Sequence, residues 1–233
     1  MMRHSAVQIP ALSGVAESAI LFVHGLGDSG NGWSFFAPLV QRSGIVKSAR
    51  NTRFIFPNAP ERPITVNGGM MMPGWFDIHT LGDRRGKQDT EGFLESCNLL
   101  KSYIKKEMEE NKIPPEKIII GGFSQGAAVA LATLALLDFK IGGCVALAGF
   151  LPIPEKMKEI FQKDNCPNLT TPIFQGHGDS DPVIAHAYAL ETSETYKLLG
   201  FSNYKFQTYR GLGHSTNERE TQDVLHFISL ILD

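Results

Sequence analysis

The sequence predicts an α/β protein: a mostly parallel, twisted sheet with helices on both faces, in a single domain spanning residues 1–233. Short, uniformly apolar runs rich in β-branched residues alternate with longer segments of helical periodicity. Strands apolar on both sides are the kind that parallel sheets bury on both faces. No internal repeat and no Gly/Ser- or Pro-rich linker divides the 233 residues, and an apolar content of 42% suffices for one large core.

The elements follow in order. Residues 1–17 are expected to form a peripheral N-terminal segment, since Met1-Met2-Arg3-His4-Ser5 leads into no stretch of signal-peptide length. Ala19–Val23 is the first candidate strand, far short of the ~20 residues that cross a bilayer. Arg53–Phe56 is the second. In Gly92–Glu110, Phe93, Cys97, Leu100, Ile104 and Met108 recur every three or four residues and so share one helix face. Pro114-Pro115 closes that segment, and Lys117–Ile120 opens a strand that leads into a small-residue helix, Gln125–Leu137. Gly143–Leu147 and Pro172–Gln175 are further strands. The helix Ala185–Leu199, the strand Tyr204–Tyr209 and the helix Glu218–Leu232 complete the alternation.

Composition excludes several classes. Lys and Arg number 22 against 24 Asp and Glu, a formal net charge of -2, so no basic excess points to nucleic acid or an anionic surface. Cys97, Cys144 and Cys166 are odd in number and widely spaced, which disfavours both a disulfide scaffold and a zinc cluster. A reducing compartment follows, and neither a metal nor a cofactor is expected.

In sheets of this class, functional groups collect where strands end and loops begin. Ile118–Ile120 runs into Gly-Gly-Phe-Ser124-Gln-Gly126 and then a helix, the context of the Gly-x-Ser-x-Gly nucleophile elbow. Its sharp turn lifts the Ser124 hydroxyl above the sheet, Gly122 and Gly126 leave room for the neighbouring strand and helix, and the Gln125 N–H faces a developing oxyanion. An elbow requires an acid and then a histidine further along the chain. Asp179 and Asp181 both follow the strand at 172–175. Asp181 is favoured because Asp-Pro-Val fixes its carboxylate at the start of a loop, whereas Asp179 suits a turn-shaping role. His214, on the glycine-rich loop after Tyr209, has the required position; His4, His79, His177, His186 and His226 do not. The His177-x-Asp-x-Asp spacing also admits a metal reading, but no further ligand cluster accompanies it.

Gly25-Leu26-Gly27-Asp28-Ser29-Gly30 literally matches Gly-x-Gly-x-x-Gly after a strand, the dinucleotide fingerprint. The acid that should end the next strand is matched only by Glu61, beyond Pro60. The rival reading makes His24-Gly-Leu-Gly an oxyanion loop, with the Leu26 N–H joining that of Gln125. It accounts for four motifs together and is preferred.

With these pieces in place the sequence resembles the acyl-protein thioesterases of the carboxylesterase/lysophospholipase type over nearly its whole length. The resemblance rests on His24-Gly-Leu-Gly-Asp-Ser-Gly-x-Gly-Trp33, Phe56-Pro-Asn-Ala-Pro60, Met72-Pro-Gly-Trp75-Phe-Asp77, Gly121-Gly-Phe-Ser-Gln-Gly126, His177-Gly-Asp-Ser-Asp-Pro182 and Gly213-His214-Ser215. It implies an α/β-hydrolase fold without a cap domain, and a cytoplasmic and nuclear enzyme that removes palmitate from protein cysteines and hydrolyses lysophospholipids. It also implies Ser124, Asp181 and His214 as the triad, Leu26 and Gln125 as oxyanion donors, S-acylated proteins as substrates, and transient contact with membrane surfaces. The chain departs from the family in three places. Ala127 follows Gly126 where a second glycine is common, Phe150 replaces a tryptophan before Leu-Pro, and Met2 stands where some members carry a lipidated cysteine. A long-chain substrate requires an apolar channel, for which Met70, Met71, Met72, Trp75 and Phe150 are the expected wall, methionines being adaptable to irregular apolar ligands. A carboxylesterase of small soluble esters and a non-catalytic binding module are the competing readings.

Overall fold

A computed structural model describes residues 5–80 and 86–233. Met2 and His4 lie outside them. Among the described residues nine strands form: β1 (Ala6–Ile9), β2 (Ser18–Val23), β3 (Thr52–Pro57), β4 (Glu61–Ile64), β5 (Met70–Pro73), β6 (Ile118–Phe123), β7 (Gly143–Leu147), β8 (Ile173–Gly178) and β9 (Tyr204–Tyr209). The helices are α1 (Gly30–Trp33), α2 (Phe36–Arg42), α3 (Thr90–Glu109), α4 (Gln125–Leu136), α5 (Pro154–Ile160), α6 (His186–Leu199) and α7 (Glu218–Leu232). Seven strands make one sheet in the order β1-β3-β2-β6-β7-β8-β9, parallel throughout except for β1. β4 and β5 pair only with each other, as an antiparallel hairpin.

Helices cover both faces. On one, Phe93, Leu100 and Ile104 of α3, Leu131 of α4 and Tyr196 of α6 pack on Leu21, Ile118, Ile120 and Ile173. On the other, Trp33, Phe36 and Val40 join Val224 and Ile228 of α7 over Ile20, Phe22, Phe54 and Val145. Asp89 and Asn217 cap α3 and α7 by accepting from the Gly92 and Glu220 N–H groups, which fixes where these two helices begin.

Differences from the sequence reading have physical causes. Within the segment expected to be peripheral, Ala6–Ile9 is an edge strand, Val7 pairing with Phe56. β6 and β8 run past Ile120 and Gln175, because Gly121, Gly122, Gly176 and Gly178 continue the pairing where the apolar run stops. α1, α2 and α5 are too short for periodicity to announce them. Among the described residues, nothing forms a separate cap over the carboxyl ends of the parallel strands, and no helix is long and apolar enough to cross a membrane.

Candidate active site

Ser124 sits between β6 and α4 with φ 55 and ψ -119, a left-handed conformation that a side chain adopts only under strain. The turn is held by the Ser124 N–H, bonded to the Leu147 carbonyl at 2.8 Å, and by the Ala127 and Ala128 N–H groups, which donate to the Ser124 carbonyl. The small residues around it are required by space. A Cβ at Gly126 would collide with the Val23 and His24 carbonyls, and one at Gly122 with the Gly126 backbone. A Cβ at Gly25 would lie 3.4 Å from that of Ser124, so the loop leaving β2 touches the elbow.

His214 reaches this serine from the loop after β9. Its Nε2 lies 2.9 Å from the Ser124 Oγ and its Nδ1 2.7 Å from the Asp181 Oδ2. An ionised carboxylate is a pure acceptor, so Nδ1 carries the proton and Nε2 is free to accept from the serine hydroxyl. The other Asp181 oxygen accepts from the Val183 and Ile184 N–H groups at 2.8 and 2.9 Å, and its side chain is fully buried. The carboxylate therefore has one free direction, toward the imidazole. Asp179 faces elsewhere, accepting from the Gly211 N–H and the Ser180 hydroxyl, bonds that hold its carboxyl below the usual range.

His177 lies beneath Asp181, its Nε2 3.0 Å from the Ile184 carbonyl and 3.5 Å from the Asp181 carboxylate. Burial lowers its pKa and so favours the neutral ring. Among the described residues no three His, Cys, Asp or Glu side chains are placed to share a metal ion. At the helix start after the glycine-rich loop, where a dinucleotide phosphate would sit, the Gly30 N–H donates to the Asn58 side chain at 2.7 Å and the Gly32 N–H to the Ser29 hydroxyl at 3.2 Å. Glu61 sits exposed at the start of the hairpin.

His24 and Trp75 brace that loop. The Ala59 N–H donates to the His24 Nε2 at 3.1 Å, which puts the proton on Nδ1, and Nδ1–H donates to the Gly25 carbonyl at 2.7 Å. Burial, the dominant cause, depresses the His24 pKa and favours this neutral form. The Gly27 N–H donates to the Pro73 carbonyl at 2.8 Å, leaving Leu26 at the tip of the turn. Gln125, the first residue of α4, has a backbone N–H with no helical carbonyl to bond.

Leu26, Ser124, Gln125 and His214 all line one cavity of about 340 Å³. Phe76, Ile78, Phe123, Ala128, Phe150, Val183, Ile184 and Tyr188 make most of its wall, with Asp28, Thr80 and Gln88 as polar members. Phe150 lines this cavity, its ring tilted by 32° to that of Tyr188 with centroids 5.8 Å apart. The other expected wall residues do not. Met70 and Met71 are 62% and 58% exposed on the hairpin, because β5 pairs only with β4 and turns them outward. Met72 lies near Gly27 and accepts from the Asn67 amide through its sulfur. Trp75 is buried outside the cavity, tied to polar partners. The wall that replaces them comes from four separate stretches of the chain, around residues 76–78, 123–128, 150 and 183–188, and no local run of sequence signals it.

The description phospholipase/carboxylesterase belongs to a family whose model matches residues 3–232 of this chain. An acyl-protein thioesterase 1 from Debaryomyces hansenii is 55% identical over 227 residues, covering 97% of each chain. The protein of that name from Candida albicans is 53% identical over 232 residues, covering 100% of each. The crystal structure of Arabidopsis thaliana SOBER1 superposes with a TM-score of 0.82 at 30% identity, covering 94% of this chain and 100% of its own. With an elbow serine, a mostly parallel sheet and matches of this extent, the chain belongs to the phospholipase/carboxylesterase family of α/β-hydrolases.

Proposed function

We propose that this protein is a serine hydrolase that cleaves long-chain acyl thioesters from protein cysteines, depalmitoylation being the central case. Lysophospholipid and carboxylic ester hydrolysis would be side activities of the same site. The observation that carries the reading is the unbroken chain of hydrogen bonds from Asp181 through His214 to Ser124 at the wall of an apolar cavity. The high identity to acyl-protein thioesterases of two yeasts supports the thioester substrate.

In the mechanism, the Ser124 Oγ attacks the thioester carbonyl carbon while the His214 Nε2 takes the hydroxyl proton. The carbonyl oxygen becomes an oxyanion held by the Leu26 and Gln125 N–H groups. As the tetrahedral intermediate collapses the C–S bond breaks, and the cysteine sulfur leaves with the proton from His214. Water, giving a proton to His214, then attacks the acyl-enzyme and releases the fatty acid and Ser124. Asp181 accepts from the imidazole Nδ1–H throughout and keeps the ring aimed at Ser124. The place of action is the cytoplasm, with the nucleus as a second site, and the enzyme touches membrane surfaces transiently to reach its acylated proteins.

Hydrolysis of a palmitoylated peptide, a lysophospholipid and a four-carbon ester, compared at matched concentrations, tests the reading. The peptide should give the highest kcat/KM. A preference for the four-carbon ester would make the protein a small-ester carboxylesterase. No hydrolysis of any of them, with no fluorophosphonate labelling of Ser124, would leave a binding module.

A further inference from the structure

Trp75 looks at first like part of the acyl-binding wall, and the structure gives it different work. Its three polar groups, counting the indole, are each engaged with a different element. The backbone N–H donates to the Gln125 side-chain oxygen at 2.8 Å. The indole Nε1–H donates to the His24 carbonyl at 2.8 Å. The Trp75 carbonyl accepts from the Ser96 hydroxyl of α3. The Gln125 amide nitrogen returns the link by donating to the Phe76 carbonyl at 2.6 Å. All these partners are buried, so each bond would be costly to leave unmade.

The two ends of this network lie at or beside the proposed oxyanion donors. His24 begins the turn that presents Leu26, and Gln125 itself carries the second donor. These segments lie far apart in sequence but leave the paired strands β2 and β6 side by side, with the Gly126 backbone close against the Val23 and His24 carbonyls. Trp75 joins them from the side, and α3 anchors Trp75 through Ser96. We propose that Trp75 is a positioning residue that sets the spacing between the Leu26 and Gln125 backbone donors, with Ser96 as its anchor. The inference rests on the serine-hydrolase reading above and adds to it the part that fixes the oxyanion hole.

The physical consequence is specific. Stabilisation of an oxyanion depends on donors already aimed at the place where charge develops, and a shift of about 1 Å can cost ~10²-fold. Loosening Trp75 should therefore weaken binding of the transition state while leaving the apolar cavity, which Trp75 does not line, able to hold an alkyl chain.

The test uses Trp75→Phe, which keeps an aromatic ring and removes the indole N–H, and Ser96→Ala, which leaves the indole in place and removes only the anchor. Two probes accompany turnover of a long-chain acyl thioester. The Ser124 Oγ adds to the carbonyl carbon of an alkyl trifluoromethyl ketone as the serine's proton passes to the His214 Nε2, and the former carbonyl oxygen becomes a hemiketal oxyanion. An n-alkanol of the same chain length fills the cavity with no carbonyl. Trp75→Phe should lower kcat and ketone affinity together by about 10- to 100-fold, with KM and alkanol affinity within about 2-fold. Ser96→Ala should move the same two quantities by about 3- to 10-fold, and it decides the matter if Trp75→Phe fails to fold. Unchanged ketone affinity in the folded variants overturns the proposal. Equal losses for ketone and alkanol do so as well, since they report a merely structural role. A wild type that binds the ketone and hydrolyses no thioester defeats the substrate reading alone. A wild type that neither binds nor hydrolyses defeats both.

Discussion

The two sides of the cavity rim differ in where their bracing side chains come from. On one side, the loops of Asp181 and His214 carry short-range bonds, Asp181 accepting from Val183 and Ile184 and the Ser215 N–H donating to the Gly213 carbonyl, and they also bond each other, the Ser180 N–H to the Leu212 carbonyl and the Gly211 N–H to the Asp179 carboxylate. On the other side, the loop carrying Leu26 and the elbow carrying Gln125 depend on bonds to residues 50 and 51 positions away in sequence. A locally tied loop carries its instructions in its own residues, as Asp-Pro-Val does. A distantly braced one depends on the completed fold. The proton-relay side should therefore fail through loss of a single group, and the oxyanion side through loss of alignment.

The largest expected effect lies on the relay side. Ser124→Ala should lower kcat by on the order of 10⁴- to 10⁶-fold, and Asp181→Asn by about 10⁴-fold through the wrong imidazole tautomer, both read on a long-chain acyl thioester. Near-normal turnover in either variant would remove that residue from the relay.

His24 offers a smaller break on the opposite side. His24→Asn should reduce kcat by about 10-fold with KM little changed, because the turn behind Leu26 loses its bond from the Ala59 N–H. The depressed pKa of His24 also has a sign. Below about pH 6.5 the unfolded chain takes up a proton that the folded one refuses, so unfolding binds protons and stability falls as pH drops toward the folded value. His177 acts in the same direction. Thermal melts from pH 7.5 to 5 should show a shallower acid-side decline in His24→Asn than in the wild type. An identical slope would mean that His24 is not the group being protonated.

Phe150→Ala tests the wall that both sides share. It should lower kcat/KM for a sixteen-carbon thioester by about 10-fold and leave a four-carbon one nearly unchanged, since each methylene losing its apolar contact costs up to ~0.8 kcal/mol. Equal effects on both lengths would place the acyl chain elsewhere.

The smallest expected effect on turnover concerns Glu220, buried at the start of α7, where a Cβ at Gly176 of β8 would meet its carboxylate. Burial, with Asp223 adding repulsion, pushes its pKa up to about 8. Between about pH 4.5 and 8 the unfolded chain releases this proton before the folded one does, so the group costs stability as pH rises. Glu220→Gln should gain about 2–4 kcal/mol at pH 8 and little at pH 5, with kcat within about 2-fold. A destabilised variant at pH 8 would show instead that the ionised carboxylate is needed.

The contrast between the two sides also separates what could be read in the sequence. The sheet was legible because strands such as Ile118–Ile120 are apolar on both faces, and α3 and α7 because their stripes are long. The edge strand Ala6–Ile9 was not, being only partly buried and lacking a marked alternation. Ser124, Asp181 and His214 could be singled out by local turn chemistry after β6, β8 and β9. The cavity wall could not, because Phe76, Ala128, Phe150, Val183 and Tyr188 meet only once the chain has folded. The methionine run had the right chemistry and the wrong direction. Its orientation is set by hairpin pairing between Met71 and Pro63, which composition cannot express.

One feature of the elbow reaches beyond catalysis. Ser124 is held at φ 55, where glycine would rest at ease and alanine would not. Ser124→Gly should therefore unfold at a higher temperature than Ser124→Ala, with about 1 kcal/mol separating the two, although both are inactive. Selection for thermal robustness alone would drift this position toward glycine, so the reactive hydroxyl persists against the fold's own preference.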